Sequence, residues 1–113
     1  FRPLIIIREG EIKEYQANKF SIGGVQESFC KLFREERIEM KKGDNVYLFS
    51  DGFADQFGGE KGKKFKYSKL KELLLSISLL PMSEQGSVLD STIEKWRGNL
   101  EQVDDILVVG VKV

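Results

Sequence analysis

Residues 43–59 read GDNVYLFSDGFADQFGG, and this stretch sets the frame for the rest of the chain. Val46 to Phe49 (VYLF) is short and continuously apolar, the pattern of a buried strand, and Lys42-Gly43-Asp44 ahead of it supplies a turn. The apolar run stops at Ser50-Asp51-Gly52. Working outward, Ile106 to Val113 (ILVVGVKV) is a second apolar strand, entered through Asp104-Asp105. Pro3 to Arg8 (PLIIIR) is a third, bounded by Glu9-Gly10, and the polar EIKEY segment after it is the return arm of a hairpin. Ser21 to Val25 (SIGGV) reads as a loop, and Glu36 to Met40 as an amphipathic strand with Ile38 and Met40 on one face.

Between the central and final strands the period changes. Tyr67 to Ser78 places Leu70, Leu73, Leu74 and Ile77 at helical spacing, with Ser68 near the N-cap and Pro81 beyond the end. Leu89, Ile93, Trp96 and Leu100 mark a second helix, with Ser83 as its cap and Gly98 as a stop or kink. Strands, two helices and a last strand predict an α+β fold, with helices on one face of a largely antiparallel sheet.

Composition narrows the chemistry. The 113 residues carry 18 basic and 18 acidic side chains, no histidine and one cysteine, Cys30. Without histidine there is no His general base, no Ser/His/Asp or Cys/His nucleophile system and no His-containing zinc site. A single cysteine excludes an internal disulfide and a multi-Cys metal cluster; Cys30 is read as a small buried apolar residue. Zero net charge argues against a nucleic-acid partner. The longest apolar stretch, LLLSISLLPM at 73–82, is far short of the ~20 residues of a membrane span, and FRPLIII is not a secretory leader. A cytoplasmic location is expected, compatible with a parent attached to a membrane sensor. A first residue of Phe1 rather than Met predicts a longer parent chain.

Metal chemistry, if any, must then run on carboxylates, which suit Mg²⁺ or Mn²⁺. If the strands before Asp51 and after Asp104-Asp105 are antiparallel neighbours, their carboxylates meet at one sheet edge, ~5 Å apart between strands. Carboxylates that close must protonate, separate or share a cation, and Gly52 would allow a close approach. By spacing alone the simpler reading is a turn at Asp51-Gly52 and a solvated strand cap at Asp104-Asp105.

GDNVYLFSDGFADQFGG (43–59), KKFKY (63–67) and EQVDDILVVGVKV (101–113) resemble bacterial PPM-type serine/threonine phosphatases, and among them the stage II sporulation protein E-like catalytic domain. PLIIIREGEIKEYQANKFSIGG at 3–24 resembles the segment with which that domain enters its second half, so the similarity runs through nearly the whole chain. The resemblance implies part of an α-β-β-α sandwich. It also implies two Mn²⁺ or Mg²⁺ ions that activate a water against a phosphoserine or phosphothreonine. Asp51 and Asp104 match metal-binding aspartates of the family, with Gly52 and Asp105 supporting. The family's earlier Asp-Gly motif has no counterpart here. Residues 1–113 are therefore expected to be the C-terminal portion of the domain, its N-terminal half absent, with weak metal binding and little or no turnover alone. The implied partners are that missing half, a sensor domain in the parent and a phosphorylated regulatory protein. A non-catalytic interaction module on the same fold is the alternative. Self-association is a further expectation, because half a sandwich exposes an apolar sheet face.

Lys61 to Lys71 (KGKKFKYSKLK) holds six lysines in eleven residues. A solvated loop is the plainest reading; the functional one is docking of substrate or partner by Lys61, Lys63 and Lys64. GGEKGKK lacks the glycine spacing and the Ser/Thr of a phosphate loop, so no nucleotide site is assigned. Asp55 and Gln56, just past the motif, are read either as reaching a metal shell through water or as a surface helix start.

Overall fold

The computed structural model describes residues 3–15 and 39–113. The Ser21–Val25 loop, Cys30 and all but the last two residues of the expected 36–40 strand lie outside them; Glu39 and Met40 themselves are not in a strand, and Met40 is exposed. Four strands form one sheet: β1 (Leu4–Arg8), β2 (Glu11–Tyr15), β3 (Asn45–Phe49) and β6 (Val108–Lys112), in the order β2-β1-β3-β6. Every neighbouring pair is antiparallel. The β1–β2 turn is Glu9-Gly10, both at positive φ. A short helix α1 (Gly52–Asp55) follows β3, then a two-stranded ribbon of β4 (Phe57–Gly58) and β5 (Lys63–Lys64). Helices α2 (Tyr67–Ile77) and α3 (Met82–Arg97) complete the chain before β6.

Strand alternation decides which face the helices cover. Ile5 and Ile7 pair with Tyr47 and Asn45, while Tyr47 and Phe49 pair with Gly110 and Val108, so these residues share one face. On it Ile5, Ile7, Tyr47 and Phe49 form one core with Leu70, Leu74 and Ile77 of α2 and Leu89 and Ile93 of α3. This is one helical layer on one sheet, the α–β half of the expected sandwich. Gly110 has no room to spare: a Cβ there would lie 3.3 Å from the Tyr47 ring and 3.1 Å from Met82 Sδ.

A buried polar network fixes the α2–α3 turn to the sheet. The Tyr47 hydroxyl donates to Gln85 Oε1 (2.6 Å), Gln85 Nε2 donates to the Leu80 carbonyl (2.9 Å), and Asn45 Nδ2 donates to the Ser78 carbonyl (2.9 Å). Buried polar groups are retained when satisfied in this way. Burial pushes the Tyr47 phenol up to about 12.

Three local expectations change. Neither Ser68 nor Ser83 caps a helix: α2 starts after Lys66 and α3 after Pro81, each without a side-chain cap bond. Pro81 itself takes the N-cap position of α3, where its carbonyl accepts from Gln85 N–H (3.0 Å). Leu100 falls outside α3, which ends at Arg97 with Gly98 (φ 55) as its cap, and is 43% exposed. The last strand begins at Val108, because Leu107 is bonded to Ser50 and not within the ladder.

Candidate active site

The β3–β6 pairing sets Phe49 opposite Val108, so the exit of β3 and the approach to β6 share one edge of the sheet. Backbone contacts then hold the two loops together beyond the ladder. Ser50 N–H donates to the Leu107 carbonyl (2.9 Å), and its hydroxyl donates to the Asp105 carbonyl (2.8 Å) while accepting from Leu107 N–H (3.0 Å). Gly52 lies so close to this segment that a Cβ would stand 2.7 Å from the Asp105 carbonyl carbon and 3.1 Å from Ile106 Cα. Glycine is required here by contact, not by φ.

Asp51 occupies the N-cap position of α1, and its carbonyl accepts from Asp55 N–H (2.9 Å). Asp51, Asp104 and Asp105 are all exposed. The Asp104 carboxylate accepts from Asp105 N–H (2.7 Å), and its carbonyl accepts from Gln102 Nε2 (3.0 Å). The three acids expected at one edge are thus on loops brought to that edge. Among the described residues no group of three or more His, Cys, Asp or Glu is placed to hold a metal ion.

Two positioning residues escape a reading of spacing. Ser50 joins the loops directly; its only sequence signal is a small hydroxyl residue wedged between an apolar strand and Asp-Gly. Gln56 is fully buried, not a surface helix start, and its Nε2 donates to the Phe57 carbonyl (3.0 Å) and the Glu101 carbonyl (2.9 Å). It therefore anchors the start of the segment that carries Asp104, and nothing in the periodicity marks it. Asp55 forms an ion pair with Lys64 (3.7 Å).

An aromatic chain supports the motif helix from beneath. Phe53 meets Phe65 edge-on at 5.2 Å, and Phe65 meets Trp96 edge-on at 5.5 Å. Trp96 Nε1 donates to the Gln56 carbonyl (2.8 Å), and Gly59 N–H donates to the Trp96 carbonyl (2.9 Å). The β4–β5 ribbon is thereby fixed to α3 beside the acidic edge. Lys61, Lys63 and Lys64 are exposed on it.

The sheet order and the helix pair packed on it match part of a PP2C-type phosphatase domain. The SiaA-PP2C domain of Pseudomonas aeruginosa is similar over 98% of this chain and 42% of its own, with a TM-score of 0.77 and 26% identity. The phosphatase domain of the cell fate determinant SpoIIE from Bacillus subtilis shares the fold at a TM-score of 0.59 and 21% identity, over 99% of this chain and 46% of its own. The chain belongs to the stage II sporulation protein E (SpoIIE) family, which it matches over residues 2–113. It spans less than half the length of either solved domain. No curated protein sequence matches it. Among the described residues no helix is long and apolar enough to cross a membrane.

Proposed function

We propose that this chain is the C-terminal half of a metal-dependent protein serine/threonine phosphatase domain in a bacterial signalling pathway, with Asp51 and Asp104 as metal ligands. The β3–β6 register carries the reading, because it brings the Ser-Asp-Gly and Asp-Asp loops to one edge and Ser50 joins them. The donors at that edge are carboxylates, the hard oxygen ligands that fit Mg²⁺ or Mn²⁺. Such ions, when bound, lower the pKa of a coordinated water and neutralise phosphoryl oxygens. Asp51 and Asp104 supply the negative charge that holds the metal, Gly52 lets the two loops close, and Asp105 is fixed through its carbonyl by Ser50. Two aspartates do not fill the coordination shell of such an ion. The remaining ligands come from the other half of the domain, so the isolated chain binds metal weakly and turns over little or nothing. The substrate is a phosphorylated regulatory protein, and a sensor domain in the parent controls access to it.

The test uses the intact parent, assayed with Mn²⁺ or Mg²⁺ on p-nitrophenyl phosphate and on phosphoserine and phosphothreonine peptides. Asp51→Asn and Asp104→Asn are each expected to cost on the order of 100-fold or more in metal-dependent rate, since even loss of an outer partner costs 10–100-fold at metal sites. Full activity in Asp51→Asn overturns the assignment. A parent silent on these substrates with both metals points instead to an interaction module that has kept the fold and lost the chemistry.

A further inference from the structure

The ribbon beside the acidic edge holds a second feature, of opposite charge. Gly58 to Lys64, the start of α2 and the end of α3 enclose an open pocket of about 350 Å³. Lys61, Lys63, Lys64, Lys66 and Lys69 line it together with Trp96, against one carboxylate, Glu60. Lys64 is paired with Asp55, and the Lys69 ammonium lies 4.4 Å from the centre of the Trp96 ring. Among the described residues no ion pair reaches Lys61, Lys63 or Lys66. Five of the 18 basic side chains of a chain with zero net charge thus line one concavity.

The backbone adds an independent sign. Lys66 has φ 82 and ψ 146, a conformation that only glycine adopts without strain. The strand-to-helix corner is held by Lys66 N–H donating to the Ala54 carbonyl (2.8 Å) and by Leu70 N–H donating to the Lys66 carbonyl (3.2 Å). Neither bond needs a side chain at Lys66. A glycine would relax the corner, so the lysine side chain is present at a cost to the fold.

We infer that this pocket docks an acidic peptide segment of a protein partner, its carboxylates spread over the lysines and its aliphatic parts against the lysine stems and Trp96. Five ammonium groups around an open trough exceed what a single small anion can engage, and suit charges spaced along a chain. Calling that partner the phosphatase substrate rests on the function proposed above. The docking itself needs no turnover, so either can fail without the other.

The experiment is fluorescence anisotropy of a fluorescein-labelled Asp/Glu-rich dodecapeptide on the intact parent, with an Asn/Gln peptide of the same length as control. The acidic peptide should bind, the neutral one should not, and affinity should fall steeply with salt. Lys61→Gln/Lys63→Gln/Lys66→Gln should weaken binding about tenfold, as loss of three exposed charge contacts implies. Lys66→Gly provides the control for folding: binding weakens severalfold while the melting temperature stays equal or rises. Equal binding of the neutral peptide, unchanged affinity in the triple variant, or tighter binding of oligothymidylate than of the acidic peptide each overturns the inference.

Discussion

Asp44 reads in the sequence as the last residue of a turn, yet it is 1% exposed and holds the end of β1 to the start of β3. Arg8 grips it with two nitrogens, Nε to Oδ1 (2.9 Å) and Nη2 to Oδ2 (2.6 Å), and Lys41 N–H donates to Oδ2 (2.8 Å). The Arg8 side chain, with the Lys41 bond next in effect, holds the Asp44 carboxyl down to about 2 from the usual 3.8. An unfolded chain takes up this proton first as pH falls, so the pair stabilises the fold fully above pH ~4 and loses its effect towards about 2. Asp44→Asn should lower the melting temperature by several degrees at neutral pH. Its melting curve should lack the wild-type fall between those values, as thermal melts at stepped pH will show. Tyr47 acts at the opposite end of the scale. Its neutral phenol is favoured by the fold, so stability contributed there is lost as pH rises from ~10 to about 12.

At the level of elements, the contact between α1 and the approach to β6 leaves no room for a side chain at Gly52. Gly52→Ala would drive a methyl into the Asp105 backbone, which cannot move aside as a flexible side chain can. A loss of about 1–3 kcal/mol in urea unfolding is expected. Gly86→Ala in α3 meets nothing within 4 Å and should instead stabilise by about 0.5–1 kcal/mol. Equal effects of the two would remove the contact argument. Elements whose apolar period is set by burial, β1, β3, α2 and α3, are legible in the sequence because Leu70, Leu74, Ile77, Leu89 and Ile93 must all reach one core. Their ends are not, because Lys66 and Pro81 start helices through backbone geometry that no hydroxyl residue advertises. The β4–β5 ribbon is invisible for a related reason: two-residue strands have no period, and tertiary contact with Trp96 fixes them.

Across the whole molecule the sheet has a second face. Leu48 pairs with Val109 and Val46 with Val111; Leu48, Val109 and Val111 are 53%, 45% and 53% exposed, an apolar stripe towards the β6 edge. Stripes of this kind on an isolated chain favour association. Sedimentation velocity of the 113-residue chain should show association rising with concentration. Leu48→Lys/Val109→Lys should shift it to monomer with little change in melting temperature. A wild-type chain that stays monomeric throughout sinks the expectation. The acidic edge was half legible for a reason of scale. Asp51 and Asp104 stand out beside apolar strands, but that the two strands are neighbours is a property of topology, and Ser50 gains its role only once they pair. That pairing joins positions more than fifty residues apart, with all three helices and the β4–β5 ribbon lying between them. Contacts of such separation form late, and synthesis proceeds from the N-terminus. A nascent chain that has reached residue 100 therefore still lacks the segment to which Ser50 bonds, and the edge comes into being only after β6 has left the ribosome.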